Sequence, residues 1–216
     1  MVTSRGGVEP VPVGPEPAPR LRLPARLGLR EPPDYPVPPD EVNPDDHTWA
    51  YGWPAGARMA ADFPHIFPEE TALATSRVAD LGCGLGALGF SALYAGAREV
   101  LFADGADGAV AWVAAVIAEN ALGNRARAMR HAWGTPLPEG PWNLIMGGDI
   151  LYRPASFPAL LDTIAQSLAP HGRCLLSDPR AVLEDDLPLL AQARDLTWTT
   201  ERRSANYTLI RVTRPG

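Results

Sequence analysis

The sequence predicts an α/β fold: a doubly wound, seven-stranded sheet that ends in a C-terminal antiparallel hairpin. Three observations carry this. Arg77 to Gly89 (RVADLGCGLGALG) runs from an apolar strand through a glycine-rich loop into a helix. From there to about residue 193, short apolar strands alternate with helical stretches, which is the pattern of a parallel sheet covered on both faces. Finally, Leu196–Arg202 and Tyr207–Val212 alternate in the manner of a closing hairpin, with one of its strands running against the rest of the sheet.

The elements follow in order. Twelve of the 24 prolines fall in the first 44 residues, so residues 1–45 read as a Pro-rich extension, largely disordered or extended, and the folded domain begins at residue 46. Within the extension, Leu21, Leu23, Leu27 and Leu29 alternate with arginines and are read as a small ribbon. The aromatic stretch around Trp49, Tyr51 and Trp53 is expected to form a hydrophobic lid, a cover over a ligand pocket, or both. Pro54 then opens a helix to Phe63, proline being tolerated in the first turn. Val78–Leu81 is the first strand, and Phe90–Ala95 is the body of a helix ended by Gly96. Glu99–Asp104 is the second strand, Gly108–Asn120 a helix apolar on nearly every side, and Ala126–His131 the third strand. Trp142–Gly147 is the fourth strand and 155–168 the next helix. Pro170-His171-Gly172 is read as a turn into a fifth strand, Arg173–Ser177, and Leu183–Ala193 as the last helix before the hairpin.

Bulk properties narrow the function classes. The chain has 216 residues and a net charge of −6, so its electrostatics favour a basic protein partner over nucleic acid. All 19 Lys-or-Arg residues are arginine, which leaves no lysine side chain to modify in the chain itself. Cys83 and Cys174 are too few for a disulfide framework and read as small buried thiols. No run of 18 apolar residues is present, and the N-terminus lacks a charged-then-apolar leader, so a cytoplasmic monomer without membrane contact is expected.

The glycine loop fits two templates, and charge separates them. Gly84-x-Gly86-x-x-Gly89 satisfies a dinucleotide fingerprint of the Rossmann-like kind, but Asp80 stands two residues before Gly82, at the carboxyl end of the strand. A carboxylate there would repel a pyrophosphate and suit a ligand carrying an ammonium and a sulfonium, as S-adenosylmethionine (SAM) does. Asp80-x-Gly82-x-Gly84-x-Gly86 resembles the first motif of the class I SAM-dependent methyltransferases, which implies a cofactor loop at Gly82, Gly84 and Gly86. The plain alternative is a structural strand–helix turn in which Asp80 caps the helix.

Two further acids end strands on the same edge of the sheet, where open parallel sheets bind their ligands. Asp104 lies 18 residues beyond Gly86, at the spacing of a ribose-binding carboxylate, and Asp149 follows the fourth strand. With a cationic cofactor, Asp80 would face the ammonium and Asp104 the ribose, while Trp133, after the third strand, would stack on the adenine. Asp149-Ile150-Leu151-Tyr152 resembles the D-x-x-Y motif of the seven-strand protein-lysine methyltransferases. Trp53-Pro54 and Trp133 match aromatic positions of the same family. Asp178-Pro179-Arg180 adds a likeness to the electron transfer flavoprotein β-subunit lysine methyltransferase subgroup.

The resemblance implies a protein substrate methylated at a lysine amine, with Asp149 and Tyr152 as catalytic residues and with Trp53 and Asp149 also at the cofactor. Chemistry agrees, since a carboxylate at Asp149 can orient an amine and Tyr152 can close the slot around it. The alternative has Asp149 capping the following helix and Tyr152 only packing. Also open are a small-molecule amine as acceptor, a nucleic acid (although the N-P-P-Y type of signature is absent), and a SAM-binding module without catalysis.

Overall fold

A computed structural model of the protein describes residues 48–67, 70–180, 186–205 and 207–215. The extension expected over residues 1–45, with its ribbon near Leu21–Leu29, lies outside these residues. A 3-10 turn, Thr48–Ala50, leads into helix α1, Pro54–Ile66, and a short helix α2, Glu70–Thr75. The remaining elements are β1 (Arg77–Leu81), α3 (Ala87–Tyr94), β2 (Glu99–Asp104), α4 (Asp107–Glu119), β3 (Ala126–Arg130), β4 (Trp142–Gly148), α5 (Phe157–Ser167), β5 (Leu168–Asp178), α6 (Asp186–Gln192), β6 (Thr197–Ser204) and β7 (Tyr207–Thr213).

The seven strands form one sheet in the order β3-β2-β1-β4-β5-β7-β6. The pairs from β3 to β5 are parallel, and β7 runs antiparallel to both β5 and β6. The order reverses between β1 and β4, so the carboxyl ends of those strands diverge into a crevice.

Side-chain alternation divides the core between the two faces of the sheet. Val78, Val100, Phe102, Leu144 and Met146 point to the face covered by α1, α3 and α4, where they meet Met59, Phe63, Phe90 and Val113. Ala79, Leu81, Leu101 and Ile145 point to the opposite face, where Leu160, Leu161 and Ile164 of α5 and Leu187 of α6 close the second half. Gly89 marks the tightest fit between the layers. A Cβ there would stand 2.2 Å from Cε1 of Phe102, so only glycine lets the first turn of α3 lie on β2.

Three elements depart from the sequence expectation. The α2 helix was not foreseen, because six residues carry no readable period. Strand β5 is longer than Arg173–Ser177: Trp142 pairs with Leu168 but Leu144 with Arg173, so the chain over Pro170-His171-Gly172 bulges out and rejoins the same strand. That also ends α5 at Ser167, and a 3-10 turn at Pro154–Ser156 forms its entrance. The Leu183 start expected for the last helix lies outside the described residues, and the helix is described from Asp186.

Candidate active site

At the carboxyl edge of the sheet, between β1 and β4, lies a cleft of about 680 Å³. The glycine loop forms its floor, the 48–53 segment its roof, and the residues after β2, β3 and β4 its ends. Eight of the nine site residues expected from sequence line it: Trp53, Asp80, Gly82, Gly84, Asp104, Trp133 and Asp149, with Tyr152 at the mouth; Gly86 does not, although its neighbours Leu85 and Ala87 do.

Asp80 is the penultimate residue of β1 and is 1% exposed. Its Oδ2 accepts the Gly89 main-chain N–H at 2.8 Å. Gly86 is the N-cap of α3 and has no side chain to cap with, so Asp80 satisfies the third-residue donor of that helix. The capping alternative for Asp80 is therefore realised, and it does not remove the carboxyl from the cleft. Burial pushes the Asp80 carboxyl up to about 8 despite the Gly89 hydrogen bond, and the nearby Asp104 charge adds to the rise.

Asp104 ends β2 and holds the glycine loop. Its Oδ2 accepts the Gly84 N–H at 2.9 Å and its Oδ1 the Ala106 N–H at 2.8 Å. The Asp104 carbonyl accepts the N–H of His131, which ties the ends of β2 and β3 together at 2.8 Å. Trp133 follows this junction. It is half-buried, packs on the α5 side of the core, and stands beside Gly82 and Ile150 at the cleft wall.

Asp149 has a left-handed backbone, φ 55°, unusual for a residue with a side chain. Its N–H donates to the Ser177 carbonyl at 2.9 Å. Its Oδ2 accepts the N–H of Gly56 at 2.6 Å, 93 residues earlier in the chain. Helix α1 begins with Trp53 as N-cap, which offers no capping side chain, and Asp149 supplies the missing acceptor. Sequence reading offered the following helix as the thing Asp149 might cap. The structure corrects this: the helix is α1, far upstream. The approach depends on two glycines, since a Cβ on Gly148 would fall 2.6 Å from Cα of Gly56. Burial pushes the Asp149 carboxyl up to about 7, opposed by the α1 hydrogen bonds and helped by the charge of Asp178.

Tyr152 is 55% exposed at the cleft mouth, with the Arg153 guanidinium 5.4 Å from its ring centre, so it is not a packing residue. Trp53, also exposed, donates Nε1–H to the Thr48 carbonyl at 2.8 Å and meets Tyr51 edge to face at 5.9 Å. Two contributors were not singled out from sequence. Gly56 is invisible there because its role is a bare N–H and the lack of a Cβ. Trp49 was seen only as part of an aromatic stretch. Its carbonyl lies 3.0 Å from a Cβ placed on Gly84, and its ring fills the space above Gly108.

The donor set suits a cationic, ribose-bearing ligand. Three carboxyl groups face one cleft, a cationic ligand would favour their ionised forms, and the N–H of α3 that would greet a phosphate is occupied by one of them. A pyrophosphate would have to displace that carboxylate and sit between two others.

Comparison with known proteins agrees with this geometry. The chain is 30% identical over 168 residues to the electron transfer flavoprotein beta subunit lysine methyltransferase of Xenopus laevis, covering 70% of this chain and 60% of that protein. It is 34% identical over 124 residues to protein N-lysine methyltransferase METTL21A of Danio rerio, covering 55% of this chain and 56% of that one. The chain thus matches less than two thirds of the length of either relative. Among solved structures, magnesium protoporphyrin IX methyltransferase from Synechocystis PCC 6803 with bound SAM superposes with a TM-score of 0.59 at 18% identity, over 73% of this chain and 78% of that one, a likeness of fold. A family model described as lysine methyltransferase matches residues 52–185, well over half the chain. The chain belongs to the lysine methyltransferase family.

Proposed function

We propose that the protein is a SAM-dependent methyltransferase that methylates a lysine amine of a protein substrate. The observation that carries this is the placement of Asp149. A half-buried carboxyl lining the cleft, pushed up to about 7, is held against the N-terminus of α1 by the Gly56 N–H, where it can meet an amine. Family membership supports the acceptor class.

In this reading Asp80 meets the ammonium of SAM and Asp104 the ribose hydroxyls, with Gly82, Gly84 and Gly86 allowing the main chain to come close. Trp133 borders the adenine. When bound, SAM would supply a sulfonium methyl group for in-line transfer to a nucleophile's lone pair, the S–CH3 bond breaking to leave S-adenosylhomocysteine. The chain's part is to deliver that lone pair. A lysine arrives as an ammonium, and the Asp149 carboxylate accepts a hydrogen bond from it, aligns it, and takes or passes on its proton. Tyr152 and Trp53, exposed at the mouth, line the aliphatic stem and exclude water as the side chain enters.

The direct test is incubation with isotopically labelled SAM and lysate protein, followed by mass spectrometry of the labelled band. Label on a lysine of a discrete protein is the expected result. Label confined to nucleic acid or small molecules, or none despite SAM binding, would overturn the assignment of the acceptor.

A further inference from the structure

The loop that carries Asp149 and Tyr152 is held by more than its own sequence. Ile150 and Leu151 anchor it by burial on the α5 face of the sheet, while Tyr152 emerges into the cleft. Its main chain is gripped at two points from the end of β5. The Asp149 N–H bonds to the Ser177 carbonyl, and the Leu151 carbonyl accepts Nη2 of Arg180.

Arg180 is itself fixed. Its Nε and Nη2 engage both oxygens of Asp178, at 2.8 and 2.9 Å, and its own N–H returns to Asp178 Oδ1 at 2.9 Å. Asp178 is 2% exposed. The Arg180 carbonyl accepts the hydroxyl of Thr208 on β7 at 2.7 Å. That hydroxyl in turn accepts Nη1 of Arg202 on β6, which also reaches the Pro179 carbonyl at 3.1 Å. A planar fork on a buried carboxylate has one orientation, so its remaining donor direction is set.

We propose that the Asp178–Arg180 pair is a positioning device for the acceptor loop, in which the fork holds the Leu151 carbonyl on the rim of β5 and thereby fixes where Asp149 presents its carboxylate. The proposal rests on the reading that Asp149 handles the acceptor amine. The left-handed backbone at Asp149 gives the device a purpose: an aspartate tolerates that region at some cost, and contacts on both sides help keep the loop there. Ser177 holds one side and Arg180 the other.

The device also has an electrostatic face. From α1, Asp149 meets the main-chain N–H groups of Gly56 and Ala55. From β5, it meets the charge of Asp178, and the Arg180 guanidinium sits on that charge. Across the cleft lies the buried carboxyl of Asp80, and on its own loop stand Tyr152 and Arg153. Arg180 thus shields Asp149 from Asp178. Removing the arginine and removing the aspartate should act in opposite directions on Asp149, a pattern that general loosening of the fold cannot produce.

The experiment compares Arg180→Met, Arg180→Lys and Asp178→Asn with the parent protein. Asp149 is titrated by carbon NMR with labelled aspartate, which needs no acceptor. From its midpoint near 7, Asp149 should move up by about one pH unit in Arg180→Met and down by a similar amount in Asp178→Asn. With the acceptor found by labelled-SAM transfer, Arg180→Met and Arg180→Lys should lose about tenfold or more in kcat, with KM and the calorimetric affinity for S-adenosylhomocysteine unchanged. The lysine variant keeps the charge without the fork, so its failure separates geometry from net charge. Unmoved or same-direction titrations, or full kcat in both arginine variants, would overturn the proposal. If the parent protein transfers label to no protein, the acceptor assignment falls, and the titration alone decides whether the pair governs Asp149.

Discussion

Asp80 and Asp149 occupy the same structural position on two different helices. Each is a carboxyl at the carboxyl end of a strand, Asp80 buried and Asp149 half-buried, and each accepts the N–H of the third residue of a helix whose N-cap offers no capping side chain. In both cases that third residue is a glycine, Gly89 or Gly56. What differs is the path the chain takes. Asp80 caps the helix that follows it, nine residues on, whereas Asp149 caps a helix 93 residues behind it. The two carboxyls also differ in setting: Asp80 rises to about 8 and Asp149 to about 7, burial being the leading cause for both. The pair is one capping motif used twice, and under the proposed function one copy meets the cofactor's cation and the other the substrate's.

The largest effect that would sharpen this comparison is expected at Asp149. Asp149→Asn keeps an oxygen for Gly56 but loses the charge that an ammonium needs. Turnover should fall by about 10²-fold or more, while calorimetric affinity for SAM stays within about twofold. Equal losses in both would merge the two sites into one.

Asp80→Asn should show the reverse split. SAM affinity should drop by about ten- to a hundredfold, the scale of a charge-assisted interaction. The ligand-free protein should at the same time become more stable at alkaline pH. The sign follows from linkage: the carboxyl sits at about 8 in the fold and at 3.8 in an open chain, so its stabilising contribution is complete below pH 4 and is lost as pH climbs to 8. An amide suffers no such loss, and the melting temperature at pH 9 should exceed that of the parent by about 3 °C or more. A variant no more stable than the parent at that pH would mean Asp80 is already solvated.

A smaller effect separates the two carboxyls by pH alone. A cationic ligand binds the ionised form of Asp80, so SAM affinity should strengthen between pH 6 and pH 8, by at most about tenfold per unit, and then level off. The Asp80→Asn variant should be flat across that window. A slope surviving in the variant would move the titration to another group.

The two third-residue glycines give the smallest contrast. An alanine at 89 drives its Cβ into the Phe102 ring at 2.2 Å, whereas one at 56 meets Asp149 Oδ2 and Gly148 Cα at 3.3 Å. Gly89→Ala should therefore cost about 1–3 kcal/mol of stability, seen in chemical denaturation. Gly56→Ala should leave the denaturation midpoint nearly unchanged and lower turnover a few-fold by nudging Asp149. Loss of stability in both would show that the α1 contact is part of the core and not of the site.

Much of the cofactor half was legible because its signals are local. Asp80, the glycines and Asp104 lie within 25 residues of one another, and the charge of Asp80 against a phosphate is readable from the residue itself. The acceptor half was legible only in its side chains. That Asp149 and Tyr152 reach the cleft could be expected from the end of β4, but the partner of Asp149 could not. A main-chain N–H has no signature in sequence, and Gly56 looks like any glycine in a helix start. The same blindness hid the true extent of β5, where Pro170-His171-Gly172 carries every sign of a turn and is a bulge within a single strand.

The reach from Gly56 to Asp149 has a consequence for how the protein becomes active as it folds. The α3 cap can form as soon as β1 and the glycine loop are made, but the α1 cap cannot form until the chain has been built through β4 and its loop, a closure of 93 residues. Long closures are paid for late, after shorter contacts have narrowed the search. Folding should therefore create the nucleotide pocket before the methyl-acceptor slot, so that a refolding protein gains affinity for SAM ahead of the capacity to use it.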